Sequence, residues 1–214
     1  MGVAGGNNVI LVDHPVVRDR LAVLRDEGTS NAEFRRLMGE ISALVAYEAL
    51  SDLATVEADV VTPIGWARCD RVSETVLLVP ILRAGLGMVP AVQVLLPLSE
   101  VAHVGLRRDE KTWVSDVYMN RLPQDLSGRR VVVCGPMLAT GGSLVQTCDL
   151  VIERGATNVM VLCVIASRPG LELFRERHPD IVIACAAVDP ALDERAYIVP
   201  GLGDAGDRLF GPPD

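Results

Sequence analysis

The sequence has no apolar stretch long enough to span a membrane. Its longest apolar runs, such as Val76–Leu82, are far shorter than the roughly 20 residues that a helical span needs. The first residues contain neither the basic segment nor the apolar stretch of a secretory signal. Gly6 stands where a myristoylation pattern needs Ser or Thr. We therefore expect a cytoplasmic protein without a membrane anchor.

Basic residues and paired cysteines are also scarce. Lys and Arg total 20 against 28 Asp and Glu, and the net charge of −8 argues against a general nucleic-acid binder. A local basic pocket for a small anion is compatible with this balance. No two cysteines form a CxxC pair, and several lie in apolar runs, so we predict buried free thiols in a reducing compartment. The five cysteines are Cys69, Cys134, Cys148, Cys163 and Cys185.

The amino-acid composition predicts one folded domain over positions 1–214. Half of the residues are hydrophobic and 22% are charged, and the mean hydropathy is +0.32, which excludes intrinsic disorder. A domain of this length buries about 70% of its unfolded surface and needs no disulfide or metal to fold. We find no internal repeat, linker or low-complexity segment.

The apolar pattern changes its period along the chain and predicts an α/β fold. Three- and four-residue spacing predicts an N-terminal helical arm at about 13–50, with helices at 15–25 and 30–50, the second opened by a Ser30–Glu33 capping box. A core at about 75–190 follows, in which strands and helices alternate, as in a parallel sheet with right-handed crossovers. The predicted strands are 76–82, 101–106, 117–122, 130–135, 159–166 and 181–188, and the predicted helices are 85–96, 142–154 and 169–177.

Ligands of parallel sheets bind at the carboxyl ends of the strands, and residues 136–143 follow one such strand. Glycines and hydroxyls at the start of a helix allow backbone N–H groups to surround a phosphate. The segment is not a Walker A loop, since it lacks that spacing and has no Lys. The alternative is a tight strand-to-helix turn capped by Thr140.

Two charged segments lie at the same edge of the predicted sheet. Arg83 ends a buried strand and is placed to meet an anion, although it could equally cap the sheet end or pair with a carboxylate. Residues 107–112 are a charged loop between two β elements. A solvated charge run is the usual explanation, and the location favours a mobile lid.

The C-terminal segment 197–208 is too glycine-rich for a helix or a strand and too apolar for a disordered tail. Backbone amides and carbonyls in such a loop can pair with the edge of a flat heterocycle. Asp204 could bind a hydroxyl or a metal-bound water. A C-terminal wrap packed on the core is the alternative.

Three segments together resemble uracil phosphoribosyltransferases: PILRAGLGM at 80–88, PMLATGGS at 136–143 and YIVPGLGDAGDRLFG at 197–211. The N-terminal segment from His14 is also similar to that family, and the likeness covers nearly the whole chain. The resemblance implies a type I phosphoribosyltransferase fold, a parallel sheet flanked by helices with a small hood and a flexible loop. It further implies that uracil and 5-phosphoribosyl diphosphate give UMP and pyrophosphate, with Mg²⁺ accompanying the diphosphate, in a homodimer or larger homo-oligomer.

The resemblance also assigns roles to residues. Arg83 and Arg108 match the arginines that contact the diphosphate, Asp204 matches the carboxylate tied to the donor, and we expect Asp204 and Arg108 to be catalytic. No protein metal ligand is identified. The matched donor loop comprises Gly135, Pro136, Met137, Leu138, Ala139, Thr140, Gly141, Gly142 and Ser143. The matched uracil site comprises Ile198, Gly203, Asp204 and Ala205.

The sequence departs from the family on the donor side. Gly135 stands where the family has an Asp that binds the ribose hydroxyls, and no nearby side chain of this loop replaces it. The lid at 107–119 and the segment 166–170 also differ, whereas the nucleobase loop is intact.

Three hypotheses follow: a uracil phosphoribosyltransferase with weakened donor binding, a diverged transferase with another acceptor, or a pyrimidine-binding regulator of weak activity. The acceptor, the oligomeric state and GTP regulation are not settled by the sequence.

Overall fold

The computed structural model describes residues 8–108 and 115–212, without the side chains of Arg108 and Ser115. Its strands are β1 (Val9–Leu11), β2 (Thr55–Thr62), β3 (Gly65–Val72), β4 (Val76–Leu82), β5 (Glu100–Val101), β6 (Val104–Arg108), β7 (Ser115–Asn120), β8 (Arg130–Cys134), β9 (Met137–Leu138), β10 (Asn158–Leu162), β11 (Ile165–Ser167), β12 (Val182–Cys185), β13 (Ala187–Asp189), β14 (Ala191–Leu192) and β15 (Ile198–Val199). Its α-helices are α1 (Pro15–Arg25), α2 (Asn31–Ala49), α3 (Val89–Leu95), α4 (Gly142–Glu153), α5 (Arg168–Arg177) and α6 (Ala205–Phe210).

The main sheet has the order β1-β12-β10-β8-β4-β6-β7, with β5 beside β4. All its pairs are parallel except β6–β7. Neighbouring side chains of the central strands point to opposite faces, and both faces are buried, which explains their continuous apolar runs. Leu78, Val132 and Leu162 pack in the cluster that holds the apolar residues of α1, α2 and α3. Leu77, Val131 and Val161 pack in the cluster that holds those of α4 and α5. The α/β prediction is confirmed.

Both N-terminal helices lie where the sequence predicts them. The Ser30 side chain accepts a hydrogen bond from the backbone N–H of Glu33 and so caps α2. Gly155 closes α4 in the left-handed region, with φ +87°. The described helices are all too short or too polar to cross a bilayer.

The prediction of single strands at 159–166 and 181–188 was wrong, because three neighbouring strands break at the same level. Val164 N and Ile165 N both donate to the Pro136 carbonyl, and Ala186 N and Ala187 N both donate to that of Val164. These bonds turn the chains out of the main sheet. Beyond the break β9, β11 and β13 form a second, three-stranded parallel sheet in the order β13-β11-β9.

Other boundaries also differ from the predictions. The helix predicted at 85–96 is a 3₁₀ turn at Ala84–Gly87 followed by α3, which has Pro90 in its first turn. The strand predicted at 101–106 is observed as β5 and β6, which pair with β4 in one register, Val101 beside Leu78 and Val104 beside Ile81. The charged loop predicted to begin at position 107 begins later, because β6 continues to Arg108. The strand predicted at 117–122 is β7, which begins at Ser115 and is the antiparallel partner of β6.

The hairpin of β2 and β3 was missed, because its side chains are almost all exposed and carry little apolar periodicity. The prediction that the segment 197–208 contains no helix is wrong at its end, where residues Ala205–Phe210 form α6. Asp204 provides the N-cap that allows this glycine-containing segment to begin a helix.

Candidate active site

Three of the segments singled out in the sequence meet at one open cavity of about 310 Å³. They follow β4, β8 and β15, and the first two of these strands are neighbours whose carboxyl ends lie at one edge of the main sheet. The cavity is lined by Ile81, Leu82, Arg83, Ala84, Gly135, Pro136, Met137, Ser143, Leu144, Asp204, Ala205 and Gly206.

Arg83 begins the turn that follows β4 and reaches towards α6. Its Nη2 donates to Asp207 Oδ1 at 3.0 Å, and about half of its side chain is exposed. Gly85 permits this tight turn, since a Cβ at that position would lie 2.4 Å from the Cys134 carbonyl oxygen. The structure therefore places the cation at the cavity and pairs it with a carboxylate, as the alternative interpretation of Arg83 also predicted.

Gly135 lies at the strand break, where its N–H donates to Leu162 O at 3.1 Å. It is buried, and its φ is not positive. A Cβ at this position would meet Leu144 Cδ2 at 3.4 Å and Ile81 Cδ1 at 3.7 Å, which are ordinary contact distances. A larger residue is therefore compatible with the backbone here, and its side chain would start between two residues that line the cavity.

The loop from Gly135 to Ser143, called the phosphate loop below, ends in α4. Gly141, the N-cap residue of α4, has φ +89° and no side chain with which to cap the helix. The positive end of the helix dipole and the first N–H groups of α4 are therefore directed to this edge of the sheet. Ser143 and Leu144 of the first turn reach the cavity.

The end of β11 and the start of α5 support the phosphate loop. Ser167 Oγ donates to Ala139 O at 2.5 Å and accepts from Gly170 N at 2.9 Å. A Cβ at Gly170 would lie 2.1 Å from the Ala139 oxygen, so α5 packs directly on this peptide. Since the N–H of a trans peptide points opposite to its carbonyl, the bond from Ser167 directs the next N–H away from α5.

Residues 197–207, called the nucleobase loop below, combine a turn with a helix start. Ile198 is buried, Val199–Pro200 is a cis peptide, and Gly201 and Gly203 have φ +64° and +76°. Asp204 Oδ1 accepts a hydrogen bond from Asp207 N at 2.9 Å, and its second oxygen takes no part in this cap. A Cβ at Gly201 would lie 2.0 Å from Ile198 O, so the turn has room for glycine alone.

Two arginines connect the nucleobase loop to residues far from it in the sequence, and sequence reasoning missed both connections. Arg25 forms two hydrogen bonds of 2.7 Å with the Asp189 carboxylate. Arg208 donates to the carbonyls of Leu24, Asp26 and Leu202 and stacks over Phe34 at 4.3 Å. Burial lowers the pKa of Arg208, whose guanidinium nevertheless remains charged at neutral pH. No local sequence motif predicts contacts between residues that lie so far apart in the chain.

Some predicted site residues lie away from the cavity wall. Leu138, Ala139, Thr140, Gly141 and Gly142 continue the phosphate loop beyond it, and Ile198 and Gly203 lie behind Asp204 in the nucleobase loop. The Arg108 side chain lies outside the described residues, as do positions 109–112 of the lid predicted at 107–112.

The cysteine prediction is confirmed for four residues. Cys134, Cys148, Cys163 and Cys185 are buried free thiols, whereas Cys69 is an exposed free thiol on β3. Burial raises the pKa of Cys134, beside the phosphate loop, to about 12. This thiol is therefore neutral at physiological pH and no candidate nucleophile.

Residues 10–212 match a family model described as uracil phosphoribosyltransferase. The chain belongs to the uracil phosphoribosyltransferase family. The uracil phosphoribosyltransferase of Symbiobacterium thermophilum is 49% identical over 206 residues, which cover 96% of this chain and 99% of that protein. That of Clostridium beijerinckii is 47% identical over 206 residues, with the same coverage of both chains.

Solved structures agree with this family assignment. The AQ2163 protein from Aquifex aeolicus superposes with a TM-score of 0.90 at 35% identity, over 95% of this chain and 98% of that one. A hypoxanthine-guanine phosphoribosyltransferase from Bacillus anthracis, at a TM-score of 0.51 and 10% identity over 74% of this chain and 80% of that one, shares the fold alone. The predicted phosphoribosyltransferase fold of this uracil phosphoribosyltransferase family member is thereby confirmed.

Proposed function

We propose that this protein transfers the 5-phosphoribosyl group of 5-phosphoribosyl diphosphate to uracil, forming UMP and pyrophosphate. One observation carries the proposal: a single cavity is lined by Arg83, by the start of the phosphate loop and by Asp204 of the nucleobase loop. A cation, a helix N-terminus and a backbone-rich loop are the groups that an anionic donor and a flat base require. The family's activity supports the same assignment.

The chemistry explains why these groups belong together. Displacement at the ribose C1′ passes through an oxocarbenium-like state, as in glycoside hydrolysis. The diphosphate gains negative charge as it departs, and Arg83 and Arg108 are proposed to stabilise that charge. The phosphate loop, with Thr140 and Ser143 at the start of α4, is proposed to bind the 5-phosphate and the ribose. We propose that a lid at 107–112 excludes water and so limits hydrolysis of the donor.

Magnesium fits this site as a companion of the donor. The described residues contain no cluster of three or more His, Cys, Asp or Glu side chains that could hold a metal ion. Mg²⁺ usually keeps several waters and binds through one or two carboxylates and substrate phosphates. Asp204, whose second oxygen takes no part in the helix cap, is the residue that would hold a metal-bound water. When bound, the ion shields the charge of the diphosphate.

Selectivity for uracil over cytosine is the first expected result. We propose that Ile198, Gly203, Asp204 and Ala205 present backbone groups to the pyrimidine edge. On that edge, cytosine presents a hydrogen-bond acceptor where uracil presents a donor. Each buried polar group that is left without a matching partner costs about 1–3 kcal/mol. Calorimetry on the protein with UMP and with CMP should therefore show clearly weaker binding of the cytidine nucleotide. Equal affinities would contradict the assignment of this loop.

We also propose that the chain is one phosphoribosyltransferase-like domain that works in the cytoplasm as a homodimer or larger homo-oligomer. Five free thiols agree with a reducing compartment. The hairpin of β2 and β3 supports association, since it pairs with no other described strand, and isolated hairpins are marginally stable in water. Strand pairing puts Val56, Ala58 and Val60 on one face, beside Ala67, Cys69 and Arg71. The opposite face carries four charged residues, Glu57, Asp59, Arg68 and Asp70, together with the exposed side chains of Val61, Trp66 and Val72. The first face, which has a single charge, is called the apolar face below.

The apolar face of the hairpin is the one that we expect a second copy to cover. Val60→Asp should reduce the sedimenting mass to that of one 22.9 kDa chain, because it places a charge in the buried contact. Val61→Asp is the matched control, since the adjacent residue points to the charged face. A parent protein that sediments as a monomer would contradict the proposal, and so would equal effects of the two variants.

A further inference from the structure

Both backbone polar groups of Gly201, in the middle of the nucleobase loop, are bound by one ion pair from elsewhere in the chain. The Gly201 N–H donates to Asp189 Oδ2 at 3.0 Å, and the Gly201 carbonyl accepts from Arg25 Nη1 at 2.7 Å. The same guanidinium forms two further bonds of 2.7 Å with the two oxygens of Asp189. The contacts connect the end of α1, the end of β13 and the loop.

This ion pair is a strong interaction because of its burial and its two-bond geometry. Only 7% of the Asp189 side chain and 22% of the Arg25 side chain are exposed. Arg–carboxylate pairs with two parallel bonds are directional as well as attractive, and partial burial reduces their screening by salt. The carboxylate and the guanidinium therefore fix Gly201 by two charge-assisted hydrogen bonds that water does not readily replace.

The location of Gly201 gives the ion pair a functional consequence. Gly201 lies between Ile198 and Gly203–Ala205, the positions proposed above to read uracil. Its φ of +64° and the absence of room for a Cβ make it the tightest point of the loop. A shift of the Gly201 peptide moves the backbone on both sides of it, and a misplacement of about 1 Å is enough to impair recognition.

We infer that Arg25 and Asp189, called the Arg25–Asp189 clamp, are positioning residues for the pyrimidine: they hold the nucleobase loop in its binding conformation without touching the substrate. The inference rests on the proposed function and adds two residues to it. The clamp acts directly on the acceptor side, because its hydrogen bonds join the two side chains to each other and to Gly201 of the nucleobase loop.

The test compares the same Arg→Lys substitution at two buried ion pairs. Arg25→Lys keeps the charge but removes the planar fork that bonds both carboxylate oxygens. Arg130→Lys is the matched control, since Arg130 is also buried and forms two bonds with Asp52, at the other end of the main sheet from the cavity. Asp189→Asn provides a second variant of the clamp that retains the shape of the carboxylate.

Steady-state kinetics give the first readout, at a temperature well below the melting point of every variant. Arg25→Lys and Asp189→Asn should raise the KM for uracil about tenfold, the change expected for the loss of one charge-assisted hydrogen bond. The KM for 5-phosphoribosyl diphosphate should stay near that of the parent. Arg130→Lys should lower the melting temperature without changing the KM for uracil. An unchanged KM for uracil in Arg25→Lys overturns the inference, as does an equal rise in Arg130→Lys.

Hydrogen exchange of the ligand-free protein separates the clamp from the proposed function. Amides of the nucleobase loop should exchange faster in Arg25→Lys than in the parent and in Arg130→Lys, because the clamp restrains the loop before any substrate binds. Should the parent fail to use uracil, the proposed function falls, and the clamp is judged on exchange alone. Equal exchange of the loop in all three proteins would then overturn it.

Discussion

Replacing Gly135 by aspartate should raise the kcat/KM for 5-phosphoribosyl diphosphate about tenfold to a hundredfold, the effect of adding one charge-assisted hydrogen bond of roughly 1.5–3 kcal/mol. The resemblance to the family implies a carboxylate at this position that binds the ribose hydroxyls. The φ of Gly135 is not positive, and a Cβ there meets Leu144 and Ile81 at ordinary distances, so the backbone conformation and the Cβ position allow the exchange. The nearby start of α4 favours a negative charge.

Gly135→Asn separates charge from shape, since it has nearly the same size without the carboxylate. We expect Asn to recover only a small part of the gain of Asp. The melting temperatures of both variants need to be measured, because Gly135 is buried and a carboxylate there loses hydration. A folded Asp variant with no gain would show that the missing carboxylate does not limit the reaction, as when an ordered water already bridges the ribose hydroxyls.

Removing the guanidinium of Arg83 should weaken donor binding about tenfold to a hundredfold, corresponding to roughly 1.5–3 kcal/mol for the loss of a charged hydrogen bond to the diphosphate. UMP binding through the nucleobase loop should change far less. Titration of Arg83→Ala with the donor and with UMP checks both expectations. A donor affinity equal to that of the parent would refute the assignment of Arg83.

Asp207→Ala is the control for this experiment, because Arg83 also pairs with Asp207 at 3.0 Å. The pair is roughly half exposed, and such pairs contribute at most about 1 kcal/mol. Loss of the pair alone should therefore not weaken donor binding, and removal of a negative charge beside the diphosphate favours it. A loss in Asp207→Ala as large as that in Arg83→Ala would assign the effect to loop structure instead of to the anion.

The parts of the fold that the sequence predicts are those fixed by local patterns. Continuous apolar runs indicate the buried strands β4 and β8, and Ser30 with Glu33 marks the start of α2. The divided strands were not predictable, since the break after Cys163 depends on a hydrogen bond to Pro136, a contact across strands. The hairpin β2–β3 was missed because neither of its faces is buried in the described chain.

The same distinction applies to the candidate site. Arg83, Gly135 and Asp204 can be recognised from the sequence, because each lies in a segment whose residue types suit the binding of one chemical group. Their meeting at one cavity follows from the parallel sheet, which brings the ends of distant strands to one edge. The residues that position the loop leave no such signature. Arg25 and Asp189 lie 164 positions apart, and only the folded chain shows that they share Gly201.

Pyrophosphate release from 5-phosphoribosyl diphosphate, followed with and without uracil in the presence of Mg²⁺, tests the central claim most directly. We expect release that depends on uracil, yields one UMP per pyrophosphate, falls when Mg²⁺ is removed, and is not supported by cytosine. Uracil-independent release, or no release while UMP still binds, would contradict the account and favour another acceptor or a regulator that only binds the pyrimidine.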